Sequence, residues 1–114
     1  MAKTATLFYG PAQLSNAAAT KYTVPAGNIA VIRHIHVENP SGSPVTFTMS
    51  IGADAAGTRI YDAYSIPGAA AGVTNSVMDF FCYYPVAAGT VIQAFGGTNN
   101  ILTLTFGGDL LSAG

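Results

Sequence analysis

The segment Val45-Thr46-Phe47-Thr48-Met49-Ser50-Ile51 alternates apolar and polar residues without a break. Successive side chains of a strand point to opposite faces, so Val45, Phe47, Met49 and Ile51 form one wall and Thr46, Thr48 and Ser50 the other. A chain carrying this pattern cannot bury it as a helix. It needs a second layer to cover the apolar wall. Leu102-Thr103-Leu104-Thr105-Phe106 repeats the alternation near the C-terminus. Val45, Phe47, Met49, Ile51, Leu102, Leu104 and Phe106 are therefore expected to share one core. Ile29 to Val37 places Ile29, Val31, Ile35 and Val37 on one face, interrupted by Arg33. Weaker strand signals lie at Thr6–Tyr9, Thr20–Val24, Arg59–Ala63, Ser76–Tyr83 and Thr90–Phe95.

Between the strands stand turn signals. Asn39-Pro40-Ser41-Gly42-Ser43-Pro44 suggests that the flanking strands form an antiparallel pair, and Gly96-Gly97-Thr98-Asn99-Asn100 suggests a hairpin between Thr90–Phe95 and Ile101–Phe106. Val24-Pro25-Ala26-Gly27 is echoed by Pro85-Val86-Ala87-Ala88-Gly89, which reads as two similar turns at comparable places in two sheets. The segment 67–75, rich in Gly and Ala, reads as the longest loop. Pro11–Thr20 has residues for one helical turn, too short to be stable alone. The expected fold is all-β: a single antiparallel β-sandwich or jelly-roll-like barrel of about eight short strands. The 114-residue length makes residues 1–114 one domain.

Composition narrows the function. Only 8 % of residues are charged, against about 25 % in a typical soluble domain. The surface must then be built from Ala, Gly, Ser, Thr and Asn, and it is poorly protected against association. Four basic residues, Lys3, Lys21, Arg33 and Arg59, make no phosphate-tracking patch, so no nucleic acid is expected as a partner. No apolar run of about 18 residues exists, so no membrane partner is expected. The N-terminus has no signal-like apolar run before Pro11. The single Cys82 excludes an internal disulfide, and its aromatic neighbours Phe80, Phe81, Tyr83 and Tyr84 make it a thiol of raised pKa that packs as a small hydrophobe.

Motifs for chemistry are sparse. His34, His36 and Glu38 share one strand face, an arrangement similar to the start of the cupin metal motif. A carboxylate several residues later and a third histidine would complete it, and neither is present. Three ligands in line on one strand spread over about 13 Å and cannot close on one ion. The expectation is accordingly no metal site, no cofactor and no catalytic residue: the chain is not an enzyme. Asp54 lies in Gly52-Ala53-Asp54-Ala55-Ala56-Gly57, a turn where Asp commonly bonds its own backbone. No nucleophile elbow or P-loop occurs. Tyr61, Tyr64, Tyr83 and Tyr84 are the candidate interface residues, because tyrosine combines a large apolar face with a polar tip.

Several elements together resemble small β-sandwich virion proteins of tailed bacteriophages, of the head-decoration or minor-tail type. They are Thr6-Leu7-Phe8-Tyr9-Gly10, the Lys21-Tyr22-Thr23-Val24-Pro25-Ala26-Gly27 entry, the 32–37 strand, Asn39-Pro40-Ser41-Gly42, the strand ending Ile51-Gly52, and Ala88-Gly89-Thr90-Val91-Ile92 before a final strand. The resemblance implies a non-enzymatic structural component of the virion, made in the host cytoplasm and present in many copies. It implies no functional residues, since the shared motifs are architectural. The expected partners are other virion proteins and the chain itself, in a trimer or another small closed ring. The alternatives are a sugar- or receptor-binding module on a tail or fibre, with a glycan as ligand, and a cupin-like metalloenzyme.

Overall fold

The computed structural model describes residues 2–69 and 76–112. Eight strands run in chain order: β1 Ala2–Gln13, β2 Ala19–Thr23, β3 Asn28–Asn39, β4 Val45–Ile51, β5 Arg59–Ile66, β6 Ser76–Val86, β7 Val91–Gly96 and β8 Thr103–Ser112. They form two four-stranded sheets, ordered β1-β8-β3-β6 and β2-β7-β4-β5, and all pairings between named strands are antiparallel. No helix occurs among the described residues, and Pro11–Gln13 continues β1 instead of turning. Of the loop expected at 67–75, residues 70–75 lie outside the described residues.

The pairing has a simple logic. β1 pairs with β8, β2 with β7, β3 with β6 and β4 with β5, so the chain forms one long antiparallel ribbon. Rolling that ribbon up adds the β3–β8 and β4–β7 pairings and closes two sheets over a common core. This is the jelly roll. It corrects two expectations about pairing. β3 and β4 are not partners, and neither are β7 and β8; each pair is split between the two sheets. Turn-forming residues reverse the chain at these places, but they carry it across to the opposite sheet. Only β4 and β5 are both consecutive and adjacent.

At each corner two chain segments cross side by side. The echoed turns are one such corner: Val24 N–H donates to Thr90 O, and Gly89 N–H donates to Val24 O, at 3.0 and 2.8 Å. Each turn closes with its own bond, Asn28 N–H to Pro25 O and Thr90 N–H to Ala87 O, both 3.2 Å. Gly27 and Gly89 hold the third position with φ of 78° and 80°, the left-handed geometry a type II turn requires there. The repeat in sequence therefore reflects two strands turning one corner together. A second corner is organised by Asn39, which is fully buried. Its Nδ2 donates to Ser43 O, Ile66 O and Pro67 O, while Oδ1 accepts from the Ser41 amide and hydroxyl. This binds the β3–β4 crossing to the end of β5.

The core contains Val45, Phe47, Met49, Leu102, Leu104 and Phe106, with Ile51 packed against it, as the alternation predicts. β3 departs from its expected face. A bulge between Ile32 and His34 shifts the register against both β6 and β8. Ala30, Ile32, Ile35 and Val37 consequently join the inter-sheet cluster, while Ile29 is exposed and Val31, although buried, lies outside that cluster. The bulge fits because β8 offers Gly108 opposite: a Cβ there would lie 1.9 Å from the Val31 carbonyl oxygen and 2.8 Å from Arg33 N.

Asp54 also differs from its expected self-contained turn. Its carboxylate receives Arg59 Nε at Oδ1 and a second guanidinium nitrogen at Oδ2, both at 3.0 Å, and the Ser50 hydroxyl at 2.7 Å. Hydrogen bonding from Arg59, then from Ser50, holds the Asp54 carboxyl below its ordinary range. A depressed carboxylate contributes stability above its unfolded pKa of about 3.9, and that contribution disappears as pH falls through the lower folded value. The melting-temperature gap between wild type and Asp54→Asn should therefore be widest above about pH 5 and narrow steadily towards about pH 2. A gap constant across that range in thermal melts would mean the ion pair does not stabilise the fold.

Candidate functional site: the outer face of the β1-β8-β3-β6 sheet

Strict alternation along β6 sends Met78, Phe80, Cys82 and Tyr84 inward and Val77, Asp79, Phe81 and Tyr83 outward. On β3 the bulge turns both Arg33 and His34 outward, and His36 follows two residues on. The two strands then meet side chain by side chain. Arg33 lies over the Tyr83 ring at 5.6 Å and bonds Asp109 of β8 at 3.0 Å. His34 stacks flat on Phe81, with centroids 4.6 Å apart and planes 2° from parallel. His36 is directly opposite Asp79 in the ladder.

This face gathers most of the apolar surface the fold leaves uncovered. Phe81 is 80 % exposed, Tyr83 67 % and Leu7 61 %, and Val77 and Ile29 are exposed towards opposite ends of the same face. Among the described residues, Tyr64 is the only other large hydrophobic side chain so exposed. The aromatic rings are nonetheless fixed in place by the cation and imidazole beneath them. That costs little entropy on association, since the rotamers are already restrained. Between β1 and β3 the face dips into a shallow depression of about 430 Å³, lined by Leu7, Arg33, His34, Thr105, Gly107 and Gly108. The paired glycines make it, because neither supplies an outward side chain.

The four tyrosines singled out from sequence do not come together. Tyr83 belongs to this outer face. Tyr84 points inward against the core. Tyr61 and Tyr64 lie where β5 faces β6, in an aromatic group with Phe47 and Phe80: Tyr61 is 4.4 Å from Phe80 and 6.2 Å from Tyr64 between centroids. Burial, helped by neighbouring Cys82, Tyr84 and Tyr64, pushes the Tyr61 hydroxyl up to about 12. Phe81 and Leu7 carry more exposed area than three of those tyrosines, and strand alternation through Phe80 and Phe81 was the available signal for the former.

Chemical groups on the face are few. His34 Nε2 and His36 Nδ1 both lie against Asp79 Oδ1, at 2.7 and 2.6 Å. Hydrogen bonds from His36 and then His34 hold the Asp79 carboxyl below its usual range. Glu38, which the sequence places in line with the histidines, stands opposite Val77 in the ladder, and Asp79 takes the position between the rings. Cys82 lies on the other face of the same sheet, its thiol donating to Ile32 O at 3.5 Å and raised in pKa by burial. The sheet separates it from both histidines, so no Cys–His nucleophile pair forms.

No family model and no curated protein matches this chain. Solved structures that resemble it at low scores include the following two. One is a pentameric capsid protein isolated from metagenomic phage sequences, with 15 % identity and a TM-score of 0.37 over 89 % of this chain and 59 % of that one. The other is a structure of infectious bursal disease virus Gt strain, with 12 % identity and a TM-score of 0.30 over 96 % of this chain and 29 % of that one. The chain thus spans less than two thirds of the first and under one third of the second. At these values no residue and no activity carries over.

Proposed function

We propose that this chain is a non-enzymatic structural protein of a virus particle, of the decoration or minor-tail kind, and that it assembles with copies of itself through the outer face of the β1-β8-β3-β6 sheet. The observation that carries this reading is the collection of Leu7, Ile29, Val77, Phe81 and Tyr83 on one sheet face of a domain with only 8 % charged residues. Contiguous apolar patches on soluble proteins mark contact sites, and aromatic residues and arginine are the side chains that anchor them. The jelly roll supports the viral part by analogy alone, since capsid, lectin and cupin domains share it. The resemblance of the sequence to phage virion proteins points the same way.

Identical patches are most simply buried in a closed ring, and a stable interface buries at least about 1,000 Å² in total. Light scattering at micromolar protein should report a discrete oligomer. The double variant Phe81→Ser, Tyr83→Ser should give a monomer with an unchanged melting profile, because both side chains point away from the core. Mass spectrometry of purified particles should find the chain among their components. A monomeric wild type absent from particles would refute the reading. Saturable glycan binding by that monomer would replace it with the sugar-binding alternative.

A further inference from the structure

Three potential metal ligands converge on the outer face without any help from the residue the sequence placed beside them. His34 and His36, two apart on β3, project to the same side, and Asp79 reaches between them from β6. Their ligating atoms, His34 Nε2, His36 Nδ1 and an Asp79 oxygen, all lie within 4.8 Å of one another. Ligands in line on one strand diverge. That divergence keeps Glu38 out of the group, whereas Asp79 joins the histidines from across the ladder.

We propose that His34, His36 and Asp79 form a binding site for a divalent transition metal ion of borderline softness, of which Zn²⁺ is the representative. Two imidazoles and one carboxylate are the donor set such ions take. Bonds of about 2.0–2.2 Å in tetrahedral geometry require donors about 3.4 Å apart. The present spacing reaches that by small side-chain rotations: the two nitrogens draw together, and the carboxylate oxygen backs away from contacts of 2.6 and 2.7 Å. On binding, the ion forms two metal–nitrogen bonds and one metal–oxygen bond. The protons that His34 Nε2 and His36 Nδ1 share with Asp79 must leave those nitrogens first: each passes through water to the ring's other nitrogen or is released to solvent, and the freed lone pair ligates the ion. Three protein donors leave a fourth position for water or for a donor from another molecule.

The surroundings suit the role. Phe81 stacked flat on His34 fixes that ring in its plane. The strand pairing of His36 with Asp79 sets the distance between the other two ligands. All three side chains are half-exposed, so an ion can reach them without the sandwich opening. This proposal does not depend on self-assembly; a monomer would bind equally.

Titration calorimetry with Zn²⁺ on the metal-free full chain should give one site per chain, and Co²⁺ should produce the visible absorption of a low-coordinate complex. His34→Ala, His36→Ala and Asp79→Asn should each weaken binding by at least about tenfold. Cys82→Ser and Glu38→Gln should leave it unchanged. Because the three ligands point outward, melting of the variants without metal checks that each is folded. No bound zinc after dialysis against excess metal would overturn the proposal. So would binding that survives Asp79→Asn, since it would belong to the histidines alone.

Discussion

Phe47→Ala is expected to cost about 3–5 kcal/mol, the range for removing a large aromatic side chain from a packed core. Phe47 has no solvent exposure, and its ring lies between the sheets, 6.0 Å from Tyr61 and 6.3 Å from Phe80 between centroids. The next residue gives the comparison. From alternation alone Thr48→Ala should be nearly free, but Thr48 is buried and its hydroxyl accepts the Ala63 amide at 3.0 Å. Ala63 has a φ of 50°, a conformation that takes its amide out of the regular ladder and leaves it in need of that partner. Thr48→Ala should therefore cost about 1–3 kcal/mol through an unsatisfied donor. Urea melts of the two variants test the ranking. Equal losses would show that Phe47 does not occupy the inter-sheet space.

Gly108→Ala should rival that loss without creating any cavity. Added carbon at this position lies 1.9 Å from a carbonyl oxygen of β3, and backbone cannot swing aside as a side chain can. β8 is held on both sides, by β1 and β3, so it has no free direction in which to shift. The neighbouring Gly107 repeats the constraint, with its added carbon 2.7 Å from Thr6 O of β1. A cost of about 3 kcal/mol, the upper end for overpacking, is expected. Gly57→Ala is the matched control, since nothing lies within 4 Å of its added carbon. Thermal melts that show both substitutions to be neutral would mean that β3 and β8 are further apart than described.

How much of this was readable beforehand depends on the range over which each feature is set. Alternation is local, and Val45–Ile51 and 102–106 placed their core residues correctly. Strand existence was equally local, although β1 runs from Ala2 to Gln13 where only Thr6–Tyr9 was expected, with Pro11–Thr20 read as material for a helical turn. Turn chemistry at Asn39–Pro44 and Gly96–Asn100 says that the chain reverses. It does not say which sheet receives the next strand, and both pairings drawn from it were wrong. The bulge at Arg33 depends on Gly107 and Gly108, whose relation to it no local pattern reveals. The His34–His36–Asp79 group has the same origin. His36 and Asp79 are 43 residues apart, and only the β3–β6 register brings them together. Periodicity along β3 brings Glu38 into line with the histidines, whereas the carboxylate that stands between them comes from the neighbouring strand.

The rolled ribbon also sets the order in which the chain can acquire its contacts. Its closed end, β4 with β5, joins across residues 52–58 and is the one strand pairing with a short loop to close. Each further pairing outward, β3 with β6, β2 with β7 and β1 with β8, encloses all those before it. The loop-closure entropy of an outer pairing is modest once the inner ones exist, because the intervening chain is already short-circuited; attempted first, it grows with the logarithm of the enclosed length. Topologies dominated by such distant pairings fold in milliseconds to seconds, not microseconds. During that interval β8 has neither of its neighbours, so the β3–β6 pair that carries Phe81 and Tyr83 still lacks β8 and β1, and the face is without Leu7. Recognition between copies thus has to wait for the last turn of the winding.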